Sequence, residues 1–191
     1  DPAPRARPSA EAVQRAIGVM KDAKRPLIVI GKGAAYDQSD DLIKKLVEKT
    51  GYPFLPMSMA KGILPDTHPQ CAAAARSQVL KDSDVVIMLG ARINWLLSHG
   101  KGKQWGEPGS KKFIQIDIEP EEMDSNVEIA APLVGDVGSC VKAILGAMEG
   151  EGIAPPKDWL DQVHTKAVGN MEKMAARLKN NNDPMDYHAA L

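Results

Sequence analysis

The chain has 191 residues, 43% apolar and 26% charged, with a formal net charge of −1. That is length enough for one domain with a buried core, and both signs of charge are interspersed, which excludes the net basic face a nucleic-acid surface needs. No apolar run approaches the roughly 18 residues that span a bilayer. Cys71 and Cys140 are too few for a disulfide framework and share no metal-ligand spacing, so reduced thiols in a cytoplasmic protein are expected. The opening DPAPRARPSA has neither an initiating Met nor a signal peptide's apolar core; residues 1–8 read as a linker, and the chain as a piece of a larger protein.

Ser9 is a good N-cap for a first helix in which Val13, Ile17 and Met20 recur at helical spacing. Pro26 opens the continuous apolar run Leu27-Ile28-Val29-Ile30, which suits a central parallel strand buried on both faces. The Gly31-Lys32-Gly33-Ala34-Ala35 loop leads to a helix from about Asp40, stopped by Gly51. A short strand, Pro53-Phe54-Leu55, precedes a long loop from Met57 to Gln70 and a short helix around Ala72 to Leu80. Strands follow over Val85 to Leu89, Phe113 to Ile116 and Pro132 to Val134, with a loop from Ser98 to Lys112 between the first two. A helix then runs from Val137 to about Met148. Five alternations of strand, loop and helix predict a doubly wound, Rossmann-like parallel sheet with helices on both faces over residues 9–150. Pro155-Pro156 marks a break before a polar helix, placed within 151–178, that closes the domain. Residues 179–191, with Asn180-Asn181-Asn182-Asp183-Pro184, read as a linker, and Asp186 to Leu191 as the start of an element of a following domain.

Open parallel sheets bind ligands beyond the carboxyl ends of their strands. Here those ends carry Gly31-Lys32-Gly33, Arg92 and Asp117. Glycines let backbone amides approach a phosphate, and Lys32 adds a point charge. Yet Tyr36 stands where the dinucleotide fingerprint wants a small residue, and no acidic residue ends the second strand, which weakens an NAD reading. A tight turn that merely needs glycine remains open. Asp117 suits a carboxylate accepting ribose hydroxyls, or equally an N-cap for the segment beginning at Pro120. Asp136, just before Val137, reads as a helix cap, and Arg92 as a phosphate clamp or a structural ion pair. The four histidines share no metal-ligand spacing, no nucleophile elbow or P-loop is present, and nothing forms a catalytic constellation.

Gly31-Lys32-Gly33-Ala34-Ala35-Tyr36, Pro56-Met57-Ser58-Met59-Ala60-Lys61-Gly62 and the run from Gly90 to Lys103, with Gln115-Ile116-Asp117-Ile118 and Asp124-Ser125-Asn126, resemble the thiamin diphosphate-dependent decarboxylases from about Pro8 to Leu191. Asn94-Trp95-Leu96-Leu97-Ser98-His99-Gly100 is specific to a branch acting on CoA thioesters. The resemblance implies the central domain of a three-domain, homotetrameric enzyme that converts oxalyl-CoA to formyl-CoA and carbon dioxide, in a branch whose 2-hydroxyacyl-CoA lyases share the architecture. It implies thiamin diphosphate and magnesium held by the flanking domains, so that this chain alone is inactive. It also implies ADP as an activator here: phosphate on Lys32, ribose on Asp117, Ile118 and Val137 lining the adenine pocket with Asp136 adjacent, and Arg76 holding the adenosine end of coenzyme A. An arginine preceding the chain completes the family's activator site. FAD in this domain, as in other relatives, and an empty, purely structural site are the alternatives.

Overall fold

Continuous apolar runs become strands because both faces of the sheet are covered. The computed structural model describes residues 4–153, 157–179 and 184–187; the Pro155-Pro156 break, the Asn180–Asp183 run and residues 188–191 lie outside them. Strands β1 (Pro26–Ile30), β2 (Phe54–Pro56), β3 (Val85–Leu89), β4 (Lys112–Asp117) and β5 (Ala131–Val134) form one parallel sheet in the order β2-β1-β3-β4-β5. This is the expected doubly wound, Rossmann-like architecture. Its strand order reverses between β1 and β3, the switch point at which such sheets open a crevice.

The period-2 geometry of a strand divides the core into two layers. Ile28, Ile30, Ile87 and Leu89 face α1 (Ala10–Lys21), α3 (Asp40–Thr50) and α5 (Val137–Ala147), packing on Ile17, Leu46 and Val141. Leu27, Val29, Val86 and Met88 face the other way, onto Val79 and Leu80 of α4 (Arg76–Asp82) and Trp159 and Val163 of α6 (Lys157–Leu178). Trp159 is 2% exposed, and its indole N–H donates to the Pro26 carbonyl at 3.0 Å, tying α6 to the first strand. The expected caps form: Ser9 Oγ accepts the Ala12 amide at 3.2 Å, and Gly51, at φ 64°, ends α3 in the left-handed region open to glycine.

The structure departs from the sequence reading mainly after β1. Residues read as a glycine loop instead form α2 (Lys32–Asp37), with Gly31 as its N-cap. Glycine disfavours helix, but Ala34 is fully buried and the Gly33 amide donates to the Gly90 carbonyl at 2.9 Å, so tertiary contacts override propensity. The segments read as loops also contain short 3-10 turns at Ser58–Ala60 and Lys103–Trp105, and a further one at Trp95–Gly100 runs into the second of those segments.

Candidate functional site at the carboxyl edge of the sheet

The backbone ladder runs past the strand ends. Gly31 donates to the Leu89 carbonyl, Gly90 to Ile116 and Gly135 to Asp117, each at 2.9 Å. The loops Gly31-Lys32-Gly33, Gly90-Ala91-Arg92, Asp117-Ile118 and Gly135-Asp136 therefore emerge side by side. The glycines permit this closeness: a Cβ on Gly31 would lie 2.3 Å from the Gly90 oxygen, and one on Gly90 would lie 2.5 Å from the Ala34 nitrogen. The amides of Gly31 and Gly33 are thus already taken up by the β3 loop, so the turn's side chains, rather than those two amides, face solvent.

Lys32 is exposed, with its ammonium 5.0 Å from the centre of the Tyr36 ring. Arg92 is in an ion pair, its Nε 3.1 Å from Glu122 Oε1. Asp117 is 7% exposed, and its Oδ1 accepts the Glu119 amide at 3.1 Å. That closes an Asx turn ahead of Pro120, one step short of the expected cap on the segment beginning there. Beside it, Ile118 is 59% exposed and Val137 is 5% exposed. Asp136 caps α5 by accepting the Ser139 amide at 2.9 Å, as expected.

Sequence reasoning missed the residues around Asp136. The Arg5 guanidinium bridges Asp37 Oδ1 at 2.6 Å and Asp136 Oδ2 at 3.0 Å, strapping the N-terminal segment to the end of α2 and the start of α5. Asp37 also accepts the Gly138 amide at 2.8 Å and the Ser39 hydroxyl. Burial and the neighbouring Asp136 push the Asp37 carboxyl up. Burial also works against ionised Asp136, but its bonds with Asp37, Ser139 and Arg5 prevail and hold it at about 2. An Arg and an Asp in aperiodic segments carry no local sign of such a contact.

Arg76 lies apart from this row, at the start of α4. It donates to the Leu96 carbonyl at 3.4 Å and approaches Met57 Sδ at 3.9 Å. The 94–100 segment it meets is strained: Ser98 and His99 stand at φ 46° and 54°, held by the Asn94 cap on Leu96 and by the Trp105 indole on the Leu97 carbonyl at 2.6 Å. Among the described residues no group of three or more His, Cys, Asp or Glu could hold a metal, and no helix is long and apolar enough to cross a membrane.

Residues 13–144 match the family model of the thiamine pyrophosphate enzyme central domain. The chain is 46% identical to oxalyl-CoA decarboxylase of Escherichia coli K12 over all of its length and 33% of that protein's. It is 40% identical to 2-hydroxyacyl-CoA lyase 1 of Mus musculus, over 98% of the chain and 32% of the relative. A Mycobacterium smegmatis X-ray structure, described as a thiamin diphosphate-dependent enzyme, shares the fold with a TM-score of 0.65 at 23% identity, over 82% of this chain and 31% of that one. The chain thus spans about one third of the length of these relatives. It belongs to the thiamine pyrophosphate enzyme central-domain family.

Proposed function

We propose that this chain is the ADP-binding, regulatory and scaffolding central domain of a cytoplasmic thiamin diphosphate-dependent enzyme that converts oxalyl-CoA to formyl-CoA and carbon dioxide. The observation that carries the reading is the row of loops that runs from the β1/β3 switch point across to β5, along which Lys32, Arg92, Asp117, Ile118 and Val137 lie. These would supply cations for a diphosphate, a carboxylate for ribose hydroxyls and, from exposed Ile118 with buried Val137, apolar surface for adenine. Arg76, at the head of α4, would hold the adenosine end of the CoA thioester. Thiamin diphosphate supplies the carbanion-stabilising chemistry of the family. Among the described residues no group of three or more His, Cys, Asp or Glu could hold a metal ion, and in this reading thiamin diphosphate and its magnesium belong to the flanking domains, so the chain alone is taken to be inactive.

Calorimetric titration with ADP, adenosine, FAD, NAD and coenzyme A tests the nucleotide assignment. ADP should bind, and Lys32→Ala should weaken it about 10- to 150-fold, the worth of one charged phosphate contact, while sparing adenosine. Asp117→Asn keeps the oxygen that closes the turn but removes the charge, so it should lower ADP affinity without moving the ligand-free melting temperature. No ADP binding, or equal loss of ADP and adenosine on Lys32→Ala, would overturn the reading.

A further inference from the structure

Helix α6 docks with the first half of its length and leaves the second half bare. Trp159, Val163 and Ala167 are 2%, 5% and 8% exposed against the other elements of their layer, and Asn170 Nδ2 donates to the Ala74 carbonyl at 2.7 Å. At about 100° per residue the same stripe continues through Met171, Met174 and Leu178, which are 62%, 46% and 44% exposed. Lys166, Lys173 and Arg177 lie along one flank of it, all exposed. None of these three cations is in an ion pair among the described residues.

We infer that Met171, Met174 and Leu178 seat the domain that follows this one in the family's polypeptide, which offers them an apolar groove with acidic groups along the Lys173–Arg177 side. Three observations select this occupant. The bare stripe continues, without a break in register, the face already buried against the 3-10 turn Ala73–Ala75 and α4. The matched family is a central domain, and the chain is about one third of its relatives' length, so in a polypeptide of the relatives' length a flanking domain is tethered nearby. The three side chains offer on the order of 300 Å², well short of the ~800 Å² per partner of a stable free complex. An occupant held by these three side chains alone must therefore be tethered, as a following domain is at millimolar effective concentration. Methionines suit such a seat because they adapt to the shape they meet.

This inference rests on family membership and not on the ADP reading. Hydrogen exchange over residues 168–178 is measured on the 191-residue chain and on the full-length polypeptide carrying it as central domain, both without nucleotide. The expected result is exchange slowed about tenfold or more in the longer protein. Met174→Asp should abolish that added protection and leave the melting temperature of the 191-residue chain unmoved, and Met174→Leu should retain it. Equal exchange in the two proteins would overturn the inference. So would concentration-dependent dimerisation of the 191-residue chain that Met174→Asp removes, because it would assign the stripe to a second copy.

Discussion

A methyl group added at Gly31 should act with the opposite sign to one added at Gly18, although both are glycine-to-alanine changes. Gly18 lies exposed within α1, with nothing within 4 Å of the position its Cβ would take. Gly18→Ala should therefore stabilise by about 0.5–1 kcal/mol through helix propensity and lost chain entropy. At Gly31 the Cβ would lie 2.3 Å from the Gly90 oxygen and 2.4 Å from the Ala91 Cα, both backbone atoms that no rotamer change can move. Relief requires the β1 and β3 loops to part. Overpacking costs about 1–3 kcal/mol, and parting strains the Gly31–Leu89 and Gly33–Gly90 hydrogen bonds, worth about 1 kcal/mol each. The expected loss is about 3–5 kcal/mol, a large part of a typical domain's stability. Urea unfolding of both variants, with melting curves in which 1 kcal/mol corresponds to about 2–4 °C at this length, reads the difference. Gly31→Ala as stable as the parent would refute the view that these glycines serve the meeting of two backbones.

Trp159→Ala removes the buried anchor of α6 and should cost about 3–5 kcal/mol in urea unfolding; a loss under about 1 kcal/mol would show that α6 is not held there. Cys140 is fully buried and its thiol is pushed up to about 12 by burial and then by Asp136 and Asp37, so a thiol reagent at pH 8 should label half-buried Cys71 first and Cys140 only on unfolding. Asp136 is held at about 2 in the fold against an unfolded value of 3.8, so its contribution is complete above 3.8 and lost as the pH falls through 2. Asp136→Asn, which keeps the cap, should flatten the stability curve over that window relative to the parent; an unchanged acid limb would count against the bonds with Asp37, Ser139 and Arg5 that hold the carboxylate ionised.

What was legible in the sequence followed from local physics. Leu27–Ile30 and Val85–Leu89 announced buried parallel strands by unbroken apolarity, and they form the sheet's centre. Asp136 announced itself as a cap by standing before Val137. The alternation of strands and helices was sufficient for the doubly wound class. Helix α2 was not legible, because its glycines argue against helix and its support comes from Gly90, far along the chain. The Arg5 strap was hidden for the same reason: its carboxylates lie 32 and 131 positions away. Asp117 is half legible, since its strand-end position is plain but the amide it takes, Glu119, precedes the segment that begins at Pro120.

Those long-range contacts also bear on how the carboxyl edge would recognise a diphosphate. In a glycine-rich turn of the dinucleotide type, backbone amides supply much of the phosphate's hydrogen bonding. Here the amides of Gly31 and Gly33 donate to Leu89 and Gly90, so under the proposed reading recognition would pass to the side chains of Lys32 and Arg92. Each now holds a contact that is cheap to give up: an exposed cation–π approach of about 0.5–1 kcal/mol for Lys32 and an exposed ion pair of about 0–1 kcal/mol for Arg92. A charge-assisted bond to phosphate returns about 1.5–3 kcal/mol, more than either contact surrenders. Under the proposed reading the exchange would be favourable at both positions and would concentrate phosphate affinity in two substitutable side chains. On the proposed ADP reading, Lys32→Ala should therefore separate ADP from adenosine sharply, because the Gly31 and Gly33 amides, already committed to holding β1 against β3, cannot compensate.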